Sequence, residues 1–334
     1  MSNDQFALSG VSAAPPAGTA SATPPAETLR LSYQGTGGDL FFIVIKNVFL
    51  TLVTLGIYTP WARTVKRQFL WRQTDIGGQR LDYTGTGREL FIGYLKVFVG
   101  YLVLIGIPQL IARSSPNLGG LMKFASFLFI MALLPFAIYW SRRYLLGRTR
   151  WRGIRFGLAG DARAFAKMFW KGALLTLLTL GIYGPVLNNR VYGFLMNNTR
   201  YGSAGFSYDG PDRQAFKIAI KGFFLSLLTL GIYYFWYAAE IQRFRLSHTR
   251  FGGAAGSFDL TGGLLFKVML VNLFGNALSL GLAFPWTTTY SLRVILERLT
   301  FVGPIDFAQI MQQPPSGDAA GDLLAGALGV ELGV

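Results

Sequence analysis

Lysine recurs at one position of a repeated apolar segment. Ten positions before a glycine (Gly56, Gly106, Gly181 or Gly231) stand Lys46, Lys96, Lys171 and Lys221. A charged side chain in a membrane helix costs about 2.5 to 3.5 kcal/mol at the bilayer centre and less toward the ends, so this recurrence needs a physical reason. Either the lysines extend to the lipid head groups, or they face inward as a basic ring that binds a phosphate, a carboxylate or an anionic lipid head. Lys217, one helical turn before Lys221, adds a second amino group on that face.

Small and polar side chains form a second register, nine, five and two positions before the anchor glycines, with Gly281 as the anchor of the last copy. Residues at this spacing share one face of a helix, and such side chains let membrane helices approach and hydrogen-bond. The alternative is a polar lining for a central pathway. The predicted polar face comprises Asn47, Thr51, Thr54, Thr176, Thr179, Ser226, Thr229, Asn272 and Asn276.

Acidic partners for the lysines are few. Glu240 is the one carboxylate expected at membrane depth, and it could pair with Lys221 or with Arg243. The chain has no cysteine, its single histidine falls in a turn, and no paired carboxylates or metal-ligand cluster are apparent. We therefore expect a protein that is not an enzyme and that needs neither a cofactor nor a metal ion.

The lysines and polar residues lie in tandem copies of one segment. LTLVTLGIYTPW at residues 50–61 returns as LLTLLTLGIYGP at 174–185 and as LSLLTLGIYYFW at 225–236, and LSLGLAFPW at 278–286 is a shorter copy. A fixed period of this kind is typical of a repeat architecture. Each copy follows a short alternating stretch that predicts a strand, and it precedes a second, arginine-rich helix.

Composition places these segments in a membrane. Hydrophobic residues make up 51% of the chain and charged residues 14%. Residues 90–112 and 121–140 are each near the roughly 20 apolar residues that cross a bilayer, so both are predicted to be transmembrane. The net charge of +15 is concentrated just beyond apolar segments. This pattern favours a cytoplasmic basic face in contact with the bilayer and its anionic head groups, and it argues against nucleic acid as a partner.

The predicted fold is an all-α polytopic membrane protein. It has five tandem helical-hairpin repeats of about 50 residues, with short β-strands between repeats on the cytoplasmic side. The predicted repeats are 29–79, 80–153, 154–204, 205–255 and 256–311, between a disordered Ala/Pro-rich tail (1–28) and a flexible tail (312–334). The short hairpins could cross the bilayer fully, be re-entrant, or cross once and leave the second helix on the surface.

The stretch LTLVTLGIYTPWARTVKRQF, with TGTGRELF opening the next copy, resembles the YjgN-like family of uncharacterised bacterial inner-membrane proteins. The resemblance covers roughly residues 29–307 and implies a multi-pass protein of a Gram-negative inner membrane. It supplies no activity and no catalytic residue. The second copy departs from the pattern at Ile107 and Pro108, and the last copy departs at Leu282 and Ala283.

Two functions remain open on this basis. The first is the binding or passage of a small anionic solute or lipid between the repeats, because internal repeats around a polar interior are common in transporters. The second is a non-catalytic scaffold that contacts another membrane protein. Both termini are expected on the cytoplasmic side.

Overall fold

The computed structural model describes residues 27–312, so the predicted tails lie outside the described residues apart from Glu27, Thr28 and Gln312. The strands are β1 (Glu27–Tyr33), β2 (Thr74–Ile76), β3 (Gln79–Tyr83), β4 (Thr149–Trp151), β5 (Ile154–Leu158), β6 (Thr199–Tyr201), β7 (Ala204–Tyr208), β8 (Thr249–Phe251), β9 (Ala254–Phe258) and β10 (Leu299–Gly303). The helices are α1 (Gly37–Val53), α2 (Thr59–Arg72), α3 (Gly87–Tyr101), α4 (Ile107–Ser114), α5 (Pro116–Arg148), α6 (Ala162–Leu178), α7 (Gly184–Asn197), α8 (Asp212–Leu228), α9 (Tyr234–Ser247), α10 (Gly262–Leu278) and α11 (Phe284–Leu296).

The strands close into an antiparallel barrel. Their order is β1-β10-β9-β8-β7-β6-β5-β4-β3-β2, and β1 pairs with both β2 and β10. The prediction of an all-α polytopic fold is therefore wrong, because the strands pair with one another instead of serving as isolated connectors. We call the five segments with the order strand, helical hairpin, strand units 1 to 5: residues 27–76, 79–151, 154–201, 204–251 and 254–303.

The sequence did not predict half of the strands. Most of the strands that were not predicted are very short. β2, β4, β6 and β8 have three residues each and directly follow the arginine-rich helices, where the sequence suggested only a turn. Their side chains still alternate as strand geometry requires. In β6, Thr199 and Tyr201 are buried whereas Arg200 is exposed, and β8 repeats this pattern.

Aromatic side chains fill the barrel. Trp151, Tyr201 and Phe251 pack together in its core with Leu29 and Ile305. The Tyr201 hydroxyl donates to the Trp151 carbonyl at 2.9 Å, and burial raises the pKa of Tyr201 to about 12. The interior is therefore a packed core.

The chain after β10 covers one end of the barrel. Ile305 and Phe307 pack against the barrel core, and the Ser203 amide donates to the Met311 carbonyl at 2.9 Å. Ser203 lies in the turn between β6 and β7, so this segment crosses the end where the hairpin turns lie. All five helical hairpins leave from the opposite end, because each pair of strands that flanks a hairpin is antiparallel.

The helices form a closed ring above the barrel. Each packs against its neighbours along the chain, and α11 packs against α1. Where the first helix of a unit begins with glycine, a tryptophan of the neighbouring unit lies on it: Trp61 on Gly87, Trp236 on Gly262 and Trp286 on Gly37. The corresponding pairs at the other two junctions are Phe136 with Ala162 and Val186 with Asp212. In the sequence register, a smaller aromatic or aliphatic residue thus accompanies each larger first residue of a helix.

The TLGIY segments form the tips of the short hairpins. In unit 4, the Gly231 amide donates to Ser226 O and the Leu230 amide donates to Leu227 O, which is the Schellman arrangement of a helix end. The Thr229 hydroxyl donates to Leu225 O at 2.7 Å and accepts from the Tyr233 amide at 2.9 Å. Units 1, 3 and 5 repeat these bonds.

The tip leucines adopt an unusual conformation. Leu55, Leu180, Leu230 and Leu280 have φ between 49° and 51°, the left-handed region, and are 93–95% exposed. This backbone costs a residue other than glycine about 1 to 2 kcal/mol. Transfer of a fully exposed leucine side chain into apolar surroundings returns about 1.5 to 3 kcal/mol, which is enough to offset that cost.

Unit 2 differs from the others in length. Its helices span Gly87–Ser114 (28 residues, with a π-helical turn at Leu102–Gly106) and Pro116–Arg148 (33 residues), and both are long and apolar enough to cross a membrane. Gly106 lies within this helix, so the glycine that was aligned as the anchor of unit 2 forms no turn. Elsewhere in residues 27–312 the helices have 17 residues at most.

Candidate functional site

The unit 3 groove is the candidate site, a cleft of about 360 Å³ between α6 and α7. Lys167 and Lys171 line it from α6, Arg190 lines it from α7, and Tyr183 lines it from the N-cap of α7. Both lysines are exposed. Within residues 27–312 neither lysine has an ion-pair partner. The groove therefore brings together three cationic side chains, two of them without a counter-charge.

Helix geometry determines which residues face the groove. Lys167 and Lys171 are one turn apart on α6, and Tyr183, Leu187 and Arg190 follow one face of α7 at helical spacing. Gly172, which is buried opposite Leu187, lets the two helices approach closely.

Arg190 is fixed in position from the next unit. Its Nε donates to Asp212 Oδ2 at 2.7 Å, and the Asn189 amide donates to Asp212 Oδ1 at 2.8 Å. The Tyr208 hydroxyl donates in turn to Asn189 Oδ1 at 2.6 Å. A guanidinium has five N–H donors, so the bond to Asp212 leaves its terminal amino groups available to bind an anion. The Arg190 guanidinium also lies 5.8 Å from the centre of the Tyr183 ring.

Unit 4 places an ion pair at the equivalent positions. Lys221 Nζ lies 2.8 Å from Glu240 Oε2 and 2.9 Å from Oε1. Of the two partners considered for Glu240, the structure selects Lys221, because the lysine lies across the hairpin from it. Arg243, one turn farther along α9, is exposed and has no ion-pair partner within residues 27–312.

The predicted lysines do not form an inward ring. Each of Lys46, Lys96, Lys171, Lys217 and Lys221 is exposed. They share that exposed face with large apolar residues; Lys46, for example, is flanked by Phe42 and Phe49, which are 73% and 64% exposed. The structure thus brings Lys171 into a site with Lys167 and Arg190 and leaves Lys46 and Lys96 apart from it.

The predicted polar residues bond either across their own hairpin or within their own helix and tip. Asn47 donates to the Ala62 carbonyl of α2, and on α10 Asn272 donates to Ser291 Oγ and Asn276 to Thr287 Oγ1 of α11. Thr54, Thr179 and Thr229 bond within the hairpin tips, and Thr176 donates to Gly172 O. Thr51 and Ser226 are half-buried, and their carbonyls accept the amides of Gly56 and Gly231. These contacts leave no continuous polar lining along the first helices.

Sequence reasoning missed Arg190 and Asp212. Arg190 stands 50 positions before Glu240, and Asp212 occupies the position that is Gly or Ala in the other units. Aligning the five units by the repeat shows Arg190 in a second helix and Asp212 at the start of a first helix as departures from the other units. The sequence alone does not show that these two residues matter, because it does not show which residues of neighbouring helices face each other.

Comparison with known proteins now decides the family. The sequence profile described as "Bacterial protein of unknown function (DUF898)" matches residues 28–226, 205–266 and 234–327. The chain belongs to this family. The DUF898 family thus covers nearly the whole described part of the chain, which confirms the resemblance drawn from the TLGIY and PW motifs.

Curated relatives of this DUF898 protein are named for their membrane. The inner membrane protein YjgN of Salmonella typhimurium strain LT2 is 35% identical over 154 residues, which are 46% of this chain and 36% of that protein. YjgN of Escherichia coli K12 is 29% identical over 146 residues (44% and 34%), and YjgN of strain O157:H7 is 31% identical over 124 residues (37% and 29%). The chain therefore aligns with about a third of each relative's length. These names support a bacterial inner-membrane protein, and no solved structure matches the chain.

Proposed function

We propose that this protein resides in the bacterial inner membrane and binds a phosphate-bearing anion in the unit 3 groove. The observation that carries the proposal is the meeting of Lys167, Lys171 and Arg190 at one cleft while only Arg190 has a carboxylate partner. An arginine fork beside two ammonium groups suits the geometry and charge of a phosphate. The anion is either the head group of a membrane lipid or a free phosphate-bearing solute.

Charge distribution supports an orientation for this site. The outer wall of the barrel carries Arg80, Arg150, Arg155, Arg200 and Arg250. The far end of unit 2 has only Arg113 and Lys123 near its turn. By the positive-inside rule the barrel lies in the cytoplasm, and the unit 2 hairpin crosses the bilayer twice. In this proposal both ends of the described chain, near β1 and β10, lie on the cytoplasmic side.

A charge reversal tests the site. Arg190→Glu puts a carboxylate at the position of Glu240 in unit 4, where the second-helix residue neutralises the lysine of the first helix. Since a hydrogen bond to a charged group contributes about 1.5 to 3 kcal/mol, we expect anion affinity to fall about tenfold to a hundredfold. Arg243→Glu is the matched control, because it changes the net charge equally at an exposed position without a partner.

Two measurements separate the sources of the anion. Native mass spectrometry of the detergent-purified protein counts bound phosphatidylglycerol, and isothermal titration calorimetry measures inorganic phosphate. A lipid site predicts that Arg190→Glu loses phosphatidylglycerol while phosphate binds weakly to every variant. A solute site predicts loss of the phosphate signal. Equal binding of both probes by the wild type, Arg190→Glu and Arg243→Glu would refute the site.

The scaffold alternative rests on one observation. The three asparagines of the polar register bond across their own hairpins, as Asn272 with Ser291 illustrates, and hydroxyls of the register such as that of Thr176 bond back to their own helix. A purely structural protein needs no anion, so this alternative requires that Arg190→Glu leave binding of both probes unchanged. A catalytic role is not part of our proposal.

A further inference from the structure

The tips of the short hairpins present only apolar and uncharged surface. Besides its left-handed leucine, each tip exposes a second aliphatic residue: Ile57, Ile182, Ile232 or Leu282, at 52–62% exposure. A tip that reached water would be expected to carry glycine, asparagine or other polar residues where the backbone is left-handed. Leucine at this position in every short hairpin indicates apolar surroundings.

The charge-free depth of the short hairpins matches half of a bilayer. Lys171 lies ten positions before Gly181, which corresponds to about 15 Å of helix. Between Lys171 and Arg190 the chain has no charged residue. The hydrocarbon core of a bilayer is about 30 Å thick, so a lysine at the head groups puts the tip near the midplane.

Unit 2 shows a different spacing of charges. Lys96 and Arg113 are 17 positions apart and Lys123 and Arg142 are 19 apart, with no charged residue inside either interval. At 1.5 Å per residue these intervals correspond to about 25 and 28 Å of helix, close to the full hydrocarbon thickness. The same chain therefore contains one hairpin with cations at both membrane surfaces and four with cations at one surface only.

We infer that the hairpins of units 1, 3, 4 and 5 are re-entrant: they enter the bilayer from the barrel side and end near its midplane, where their tip leucines contact lipid acyl chains. The unit 2 hairpin alone crosses. The exposed faces of the first helices, such as Leu174 and Leu178 in unit 3, contact the acyl chains of the same leaflet. This inference does not depend on the anion site, because it rests on the tips and on charge spacing.

Single cysteines test the depth of each segment, since the chain has no cysteine of its own. The positions are Leu230 at the tip of unit 4, Asn117 at the far end of unit 2 and Gln79 at the barrel hairpin. In cells, a membrane-impermeant maleimide should label Asn117→Cys from the periplasm, and Gln79→Cys only after the cells are opened. Leu230→Cys should remain unlabelled in both conditions and become reactive in detergent containing denaturant.

Fluorescence quenching then locates the tip within the bilayer. Leu230→Cys is labelled with bimane in detergent and returned to phosphatidylcholine vesicles that contain lipids brominated at defined acyl carbons. Quenching should be strongest with bromine near the chain ends. Periplasmic labelling of Leu230→Cys would show that the hairpin crosses, and cytoplasmic labelling would show that it stays outside; either result overturns the inference. Leu180→Cys, at the equivalent tip of unit 3, provides a second variant if Leu230→Cys does not fold.

Discussion

Units 3 and 4 share one backbone arrangement but carry opposite charges at one position. Both have lysines one turn apart on the first helix, Lys167 and Lys171 or Lys217 and Lys221. Opposite them stands Arg190 in unit 3 and Glu240 in unit 4. Unit 4 forms an ion pair with 2.8 Å between the charged atoms, whereas unit 3 leaves its lysines without a carboxylate. A single second-helix residue therefore decides whether a first-helix lysine is neutralised, as in unit 4, or is joined by a further cation, as in unit 3.

The side chains that pack between the two helices also differ in size between unit 3 and unit 4. The ring of Tyr237 lies against Gly222 in unit 4, while the smaller Leu187 lies opposite Gly172 in unit 3. A tyrosine ring is larger than a leucine side chain and so takes up more of the space between the two helices. Charge and volume therefore both favour a ligand in unit 3.

The largest expected effect comes from converting unit 4 into unit 3. Tyr237→Leu combined with Glu240→Arg supplies the groove volume and the third cation, so the protein should gain a second anion site with an affinity within about tenfold of the first, a difference of 1.4 kcal/mol. Native mass spectrometry with phosphatidylglycerol should then count one more bound lipid. Tyr237→Leu alone keeps the Lys221–Glu240 pair and is the control. A double variant that binds no additional lipid would show that groove volume and charge do not account for the difference between units 3 and 4.

The junctions between units provide the next test. Gly262 lies under Trp236, where unit 5 meets unit 4, and a Cβ there would overlap both the backbone Cα and the ring of Trp236. Gly262→Ala should destabilise the protein by about 1 to 3 kcal/mol, the usual cost of overpacking. Phenylalanine keeps the Cα and Cγ atoms that a Cβ at residue 262 would meet, so adding Trp236→Phe should restore little of the loss. Thermal unfolding in detergent measures both variants, and full recovery on adding Trp236→Phe would show that the size of the indole, and not the close approach of the backbones, requires glycine here.

The smallest effect distinguishes the two equivalent lysines. Lys221→Ala removes the partner of Glu240, and because both side chains are partly exposed we expect a loss of about 1 kcal/mol. Lys171→Ala removes a lysine that has no carboxylate partner and should change stability by less than about 0.5 kcal/mol. The two midpoints of thermal unfolding in detergent are compared directly. Equal destabilisation would mean that the ion pair does not distinguish the units.

Local signals in the sequence predicted the helices and their tips. The anchor glycines of the short hairpins do end the first helices, because the Schellman turn needs a left-handed backbone after the last helical residue, as at Leu230 and Gly231. Unit 2 was correctly expected to be the long hairpin, since residues 90–112 and 121–140 fall within the two membrane-length helices.

The barrel and the site depend on contacts between distant residues. β6 has only the residues Thr199–Tyr201, too few for an alternating pattern to stand out, and it becomes a strand by pairing with β5 and β7. The closure of β1 on β10 joins residues more than 260 positions apart. Likewise the lysines form a clear register in the sequence. The residues that lie opposite each lysine depend on how the second helix packs, which the sequence does not show. Arg190 was overlooked for this reason.

The most direct test of the anion site is a cryo-electron microscopy map of the protein in nanodiscs that contain phosphatidylglycerol. Our account predicts density for a phosphate group among Lys167, Lys171 and Arg190, and none beside the paired Lys221 and Glu240. An empty unit 3 groove, or equal density in both units, would contradict it.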